Sequence, residues 1–237
     1  MVVGLECFKE WFQGYEHHYA LIGGTACDLL MNEAGIDFRA TKDIDMVLIS
    51  EVLNADFGYH FWGFVKMAEY EQRFKSSGKT VYYRFVRPSS TKYPAMIELF
   101  SRRIEGIMLP PDANLTPIPI GGNVSSLSAI LLDDDYYHFL KSGLILVYEI
   151  PVLGALHMIP FKAKAWINLT ERKASGEHVD SKDIRKHIND IIRLSDLLLP
   201  NDLLNLPDTI KNDLHKFLSN INEPSRFSRV AAAFGLS

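Results

Sequence analysis

The chain has almost no cysteine: Cys7 and Cys27 are the only two among 237 residues. Two thiols build neither a disulfide framework nor a Cys-based zinc site, and they suit a reducing compartment. An excess of basic charge is also missing. Twenty-five Lys and Arg stand against 29 Asp and Glu, a formal charge of −4, so any contact with a polyanion has to be local. There is no long apolar run. The most apolar stretch, 143–161, is broken by Glu149, Pro151, His157 and Pro160, which excludes a membrane span there. Glu6, Lys9 and Glu10 interrupt the N-terminal segment too early for a secretory signal, so a cytoplasmic location without membrane association is expected. Internal repeats, low-complexity tracts and histidines at zinc-site spacing are likewise absent from the sequence.

What is present supports a packed core: 47% of residues are hydrophobic and 23% charged. The pattern predicts a helix over 6–18, with His17 and His18 at its end, and a buried strand over 19–22 that runs into Gly23-Gly24. A helix follows with Thr25 as its cap, then a strand over 44–49 and helical structure through much of 51–75. Strands are expected over 80–86 and 95–100, and a proline-rich irregular connection over 108–123. Asp133 to Asp135 read as a helix start with acids in the first turn. From about residue 160 the signal is helical, over 160–175, 180–199, 207–220 and 224–234. The expected architecture is therefore α+β: a small mixed or antiparallel sheet core flanked by helices over 1–158, then a helical domain over 159–237 that roofs the active-site cleft.

Three features of the first half carry chemistry. Residues two apart on a strand point to one side, so Asp43 and Asp45 present two carboxylates to one face while Ile44 and Met46 turn to the core. Two like charges that close are unfavourable unless a cation lies between them. Magnesium suits the pair, since it takes one or two carboxylates and keeps positions for water and phosphate oxygens. Glu98, isolated in the apolar run AMIELF, is the candidate third carboxylate of a site for one or two ions. Gly23-Gly24 between a strand and a helix let a phosphate approach the backbone at a helix N-terminus, and Thr25 adds a hydroxyl. A phosphate cradle beside a metal-binding strand makes a nucleoside-triphosphate site.

The segments IGGTACDLL, RATKDIDMVLI and MIELF resemble the nucleotidyltransferase superfamily of the DNA polymerase beta type. Their wording is most similar to the AbiEii-type nucleotidyltransferases, the toxin half of toxin–antitoxin pairs. FKAKAWINLTERKASGEHVDSKDIRKHINDIIRL is similar to that family's downstream block, so the resemblance covers 19–50, 95–101 and 160–195. It implies that Gly23, Gly24 and Thr25, with Lys42 in the following loop, hold the triphosphate. It implies Asp43 and Asp45 as metal ligands, and Glu98 as a third acid that either ligates metal or acts as base. Lys162 or Lys164 falls on the downstream basic position, and Asp183 on the downstream catalytic acid.

Charge supports the same region. Between 161 and 193 eight Lys and Arg face five acids, a local positive balance where a polyphosphate would be met. In the helix from about Asp180, Ile184, Ile188, Ile191 and Ser195 form the inward stripe. Lys182, Asp183, His187 and Asp190 lie on a neighbouring face, with two readings open: nucleotide-facing groups, or an exposed helix with ordinary i,i+4 pairs. The expected function is Mg²⁺-dependent transfer of a nucleotide from an NTP to an acceptor hydroxyl on an RNA or tRNA end, a small molecule or a protein, with an antitoxin protein as a further partner. The competing reading is a non-catalytic nucleotide-binding or antitoxin-binding module of the same fold.

Overall fold

Alternating burial makes the central strands. In Asp43–Leu48 the side chains of Ile44 and Met46 are buried between half-exposed Asp43 and Asp45, and in Met96–Phe100 Ile97 and Leu99 are buried on either side of a half-exposed Glu98. This period of two gives each strand one core face and one polar face. The computed structural model describes residues 2–74, 80–100, 130–131, 133–221 and 224–236. Its strands are β1 (Tyr19–Ile22), β2 (Asp43–Leu48), β3 (Glu71–Phe74), β4 (Thr80–Val86), β5 (Met96–Phe100), β6 (Leu144–Val147) and β7 (Ile150–Leu153). They form one seven-stranded sheet in the order β3-β4-β5-β2-β1-β7-β6. The sheet is mixed: β2–β5 and β1–β7 are parallel, and the other neighbours are antiparallel.

Helices α1 (Leu5–Trp11), α2 (Gly23–Glu33) and α3 (Ala55–Met67) belong with the sheet. Phe8, Phe12, Phe57 and Phe64 pack with Tyr19 of β1 through ring contacts of 4.5 to 6.1 Å. The later helices are α4 (Asp134–Ser142), α5 (Ala155–Ala174), α6 (Ser181–Ser195), α7 (Asp208–Asn220) and α8 (Ser228–Ala233), with a 3₁₀ turn at Pro224–Phe227. The fold class is α+β, a mixed sheet core with helical flanks, as the sequence predicts. Among the described residues no helix is long and apolar enough to cross a membrane.

Two compact units divide the chain. The sheet unit comprises Met1–Val124 and Leu144–Leu153, and the helical unit Ser125–Gly143 and Gly154–Ser237. The sheet unit thus takes back the β6–β7 hairpin after the helical unit has begun, and the expected boundary at 158/159 lies within α5.

Several local expectations give way to packing. The first helix stops at Trp11, not His18: Gly14 turns the chain at φ +87°, and the His18 carbonyl instead accepts from the Ile49 amide at 2.9 Å, beside the first pair of β1 and β2. Asn54 caps α3 by accepting from the Phe57 amide at 2.8 Å, and Glu69 at φ +52° ends it, so the expected helix over 51–75 becomes a shorter helix followed by β3. The expected helix starts at Asp133 and Asp180 hold: the Asp133 side chain accepts from the Asp135 and Tyr136 amides, and the Asp180 side chain from the Lys182 amide. Helix α5 begins five residues ahead of Pro160, because Met158, Ile159 and Phe161 bury their side chains in one continuous turn; the ring then costs one backbone hydrogen bond. The connection expected over 108–123 lies outside the described residues.

One half-buried histidine in the helical unit is expected to make stability pH-dependent. His157 packs on Phe139 at 4.4 Å and over Gly143, where an added methyl group would overlap its ring. Burial lowers its pKa below the ordinary 6.5. The unfolded chain therefore binds more protons in that window, so the contribution is fully present above pH 6.5 and is lost as pH falls below it. Urea midpoints measured at about pH 7.5 and about pH 5.5 should drop toward acid, and the drop should shrink in His157→Gln.

Candidate functional site

Sheet register sets the site. Ile22 of β1 pairs with Asp45 of β2, Asp45 pairs with Glu98 of β5, and Glu98 pairs with Arg84 of β4. Register partners share a sheet face, so Arg84, Glu98 and Asp45 form one row across three strands. That row ends where β1 turns into α2 at Gly23. Asp43, two residues before Asp45, lies on the same face. The two strand carboxylates and the third acid expected from the sequence thus share one face of the sheet.

Gly23 is where the turn meets the carboxylates. It adopts φ +70°, and a methyl group added to it would overlap Oδ2 of Asp45. No other residue fits both the backbone and the space. A Cβ on the next residue, Gly24, would press on the Thr41 hydroxyl at 2.8 Å and on Nη2 of Arg39 at 3.3 Å, so the loop before β2 lies against the start of α2. The expectation that Thr25 caps this helix is corrected. Ile22 is the N-cap, in extended conformation, and the Thr25 hydroxyl donates to the Asp43 carbonyl at 2.6 Å. Thr25 is fully buried and ties α2 to the first residue of β2. The first amides of α2 lack intrahelical partners by construction, which leaves a donor-rich, partly positive end at the glycine turn. Lys42 is exposed beside it.

The electrostatics of the three acids differ. Glu98 is 14% exposed and forms an ion pair with Arg84, itself 33% exposed. Among the described residues, no group of three His, Cys, Asp or Glu side chains is gathered closely enough to hold a metal ion. The fit to a divalent ion therefore rests on the Asp43–Asp45 pair, two half-exposed carboxylates on one strand face with a side-chain-free turn against one of them. That donor set suits a hard cation that keeps water or phosphate oxygens in its remaining positions.

In the helical unit, the downstream residues separate into one buried pair, one half-buried pair and an exposed helix start. Lys162 and Asp190, 3% and 1% exposed, form an ion pair at 2.8 Å between α5 and α6. Asp190 therefore belongs to the inward side of α6, with Ile191 and Leu194, and not to a polar outer face. Lys164 donates to Asp213 of α7 at 2.8 Å, and the buried Tyr136 hydroxyl of α4 donates to the other oxygen of Asp213 at 3.1 Å. Burial, reinforced by Asp213, raises the Tyr136 pKa far above that of an ordinary phenol. Lys182 and Asp183 are exposed in the first turn of α6 and His187 is half-buried.

Sequence reasoning passed over Arg84, Arg39 and Thr41. Arg84 carried a usable signal: it is the one charged residue in the strand TVYYRFV, the same signature that singled out Glu98. Arg39 and Thr41 become significant only through their contact with Gly24, which no local pattern announces.

The glycine turn gives a test within the sheet unit. Gly23→Ala is expected to cost roughly 1–3 kcal/mol through its backbone conformation and the displaced Asp45 carboxylate. Gly14→Ala provides the reference, since Gly14 has φ +87° but open space around it; urea denaturation should show the larger loss at Gly23.

No protein-family model matches the chain, and no curated protein matches it. A solved structure does: the crystal structure of an antigenic nucleotidyltransferase-like protein from Paracoccidioides brasiliensis, with 16% sequence identity and a TM-score of 0.53 over 98% of this chain and 91% of that one. The likeness shows the fold: a nucleotidyltransferase-like α+β core with helical flanks.

Proposed function

We propose that this chain is a Mg²⁺-dependent nucleotidyltransferase that moves a nucleoside monophosphate from an NTP to an acceptor hydroxyl. One observation carries the reading: within a nucleotidyltransferase-like fold, Asp43 and Asp45 share one strand face, with Asp45 directly against the side-chain-free turn at Gly23. Asp43 and Asp45 hold the magnesium, which when bound neutralises charge on the triphosphate. The amides at the start of α2 would bind phosphate oxygens; Gly23 and Gly24 are themselves buried, with Asp45, Thr41 and Arg39 against them. Thr25 locks the turn to β2 through the Asp43 carbonyl. Lys42, exposed in the adjoining loop, adds positive charge near the phosphates.

The acceptor hydroxyl attacks the α-phosphorus. A P–O bond forms, the bond to the β-phosphate oxygen breaks, and pyrophosphate leaves. Glu98 takes the hydroxyl proton. The protein's work is chiefly positioning and charge neutralisation, as in phosphoryl transfer generally. In the helical unit, Lys164 and Lys162 act through the order they give their helices, each engaged with an aspartate. Lys182, Asp183 and His187 on α6 keep, as a proposal, the roles expected from the sequence: nucleotide binding and, for Asp183, catalysis.

The finer assignment, an AbiEii-type toxin, rests on the resemblance of the Asp-Ile-Asp and Lys-Asp segments. Incubating the protein with each α-labelled NTP, Mg²⁺ and total RNA tests the activity and the acceptor class together. Label on RNA with release of pyrophosphate supports transfer to a nucleic-acid end, and label on a small molecule or on protein redirects the acceptor. No label and no pyrophosphate with any of the four NTPs, while nucleotide still binds, overturns the enzymatic reading in favour of a binding module. Growth arrest on expression, relieved by Asp45→Asn, is the outcome expected of a toxin.

A further inference from the structure

We infer that Arg84 divides the labour among the three carboxylates: by holding Glu98 outside the ion's ligand set, it leaves Asp43 and Asp45 to bind a single divalent cation. The inference rests on the nucleotidyltransferase reading and makes Arg84 a positioning residue within it.

The cross-strand row supplies the geometry. Glu98 lies between Arg84 on β4 and Asp45 on β2, in register with both. Its carboxylate is engaged by the Arg84 guanidinium, and among the described residues it does not combine with Asp43 and Asp45 into a three-ligand group. An arginine stays charged at any working pH and its planar fork suits a carboxylate, so the hold persists wherever the enzyme operates. Without Arg84, Glu98, in register with Asp45, would be drawn in as a third ligand or would favour a second ion. Both members of the pair are largely shielded from water, which makes their attraction stronger than that of a surface pair.

Mn²⁺, which reports binding through its electron spin resonance and through calorimetry, tests this without any turnover. The wild-type protein should bind one Mn²⁺ per chain. Arg84→Met should bind it about tenfold more tightly, or bind a second ion, because Glu98 is released; outer partners of metal ligands commonly move affinity by about 10–100-fold. The double variant Arg84→Met/Glu98→Gln removes the released carboxylate and should bind within about threefold of wild type, while Asp45→Asn should lose at least about tenfold. Circular dichroism confirms folding, and Arg84→Gln/Glu98→Gln serves if the first double variant unfolds. A double variant that loses as much affinity as Asp45→Asn makes Glu98 a ligand in the presence of Arg84 and overturns the inference alone. Unchanged binding in Arg84→Met does the same. If Asp45→Asn binds Mn²⁺ like wild type, or wild type binds none, the metal assignment of the parent reading fails and carries this inference with it.

Discussion

Asp45→Asn is expected to lower nucleotide transfer at least about a thousandfold, the equivalent of about 4 kcal/mol of transition-state stabilisation. The substitution keeps the shape of the side chain and removes its charge, so it leaves the Gly23 contact in place while halving the carboxylate pair proposed to hold the ion. Its folding stability should stay within about 1 kcal/mol of wild type, because Asp45 is half-exposed and its neighbours Ile44 and Met46 carry the core packing of β2. Pyrophosphate release with labelled NTP, measured beside a urea unfolding curve, separates the two quantities. Transfer at the parent rate in a folded Asp45→Asn would remove this residue from the mechanism.

The second large effect lies in the helical unit. Lys162→Met is expected to destabilise it by roughly 3–5 kcal/mol, because Asp190 loses its ammonium partner at 1% exposure. For a chain of this length that lowers Tm by roughly 6–20 °C. The double variant Lys162→Met/Asp190→Leu should recover most of the loss, since a buried ion pair replaced by apolar groups of similar volume is often neutral or stabilising. Thermal unfolding of the single and double variants decides the matter. A Lys162→Met protein with unchanged Tm but impaired nucleotide binding would show that this lysine serves the ligand directly.

These two predictions also mark what was legible in the chain. Asp43, Asp45 and the Gly23-Gly24 turn could be read because their chemistry is local: two residues apart on a strand, or adjacent at a strand end. Glu98 was legible as a charge in an apolar run, and the helix starts at Asp133 and Asp180 through their capping carboxylates. Contacts between distant segments were not. The pairing of Lys162 with Asp190 crosses 28 residues, and nothing in a helical wheel of α6 says that one aspartate finds an ammonium inside. The β6–β7 hairpin was hidden for a different reason. Its turn residues Tyr148 and Glu149 adopt φ +50° and +66°, a conformation usually signalled by Asn or Gly, and here imposed by pairing from Leu144↔Leu153 to Val147↔Ile150. Thr25 read as a cap because short hydroxyl side chains favour that place; its partner, the Asp43 carbonyl, is fixed only once β2 lies beside α2.

The return of β6 and β7 to the sheet has a consequence for the birth of the protein on the ribosome. Strand β1, which delivers the glycine turn, has β2 on one side and β7 on the other, and Leu21 meets Val152 about 130 residues later. At translation speeds of about 5–20 residues per second, the nascent strand waits roughly 7–26 s for that neighbour to be made. During this interval one border of the growing sheet is open to foreign strands. Synonymous codon changes that slow elongation between residues 101 and 143 lengthen the exposure, so soluble yield should depend on the pace of synthesis there more than on the stability of the finished fold.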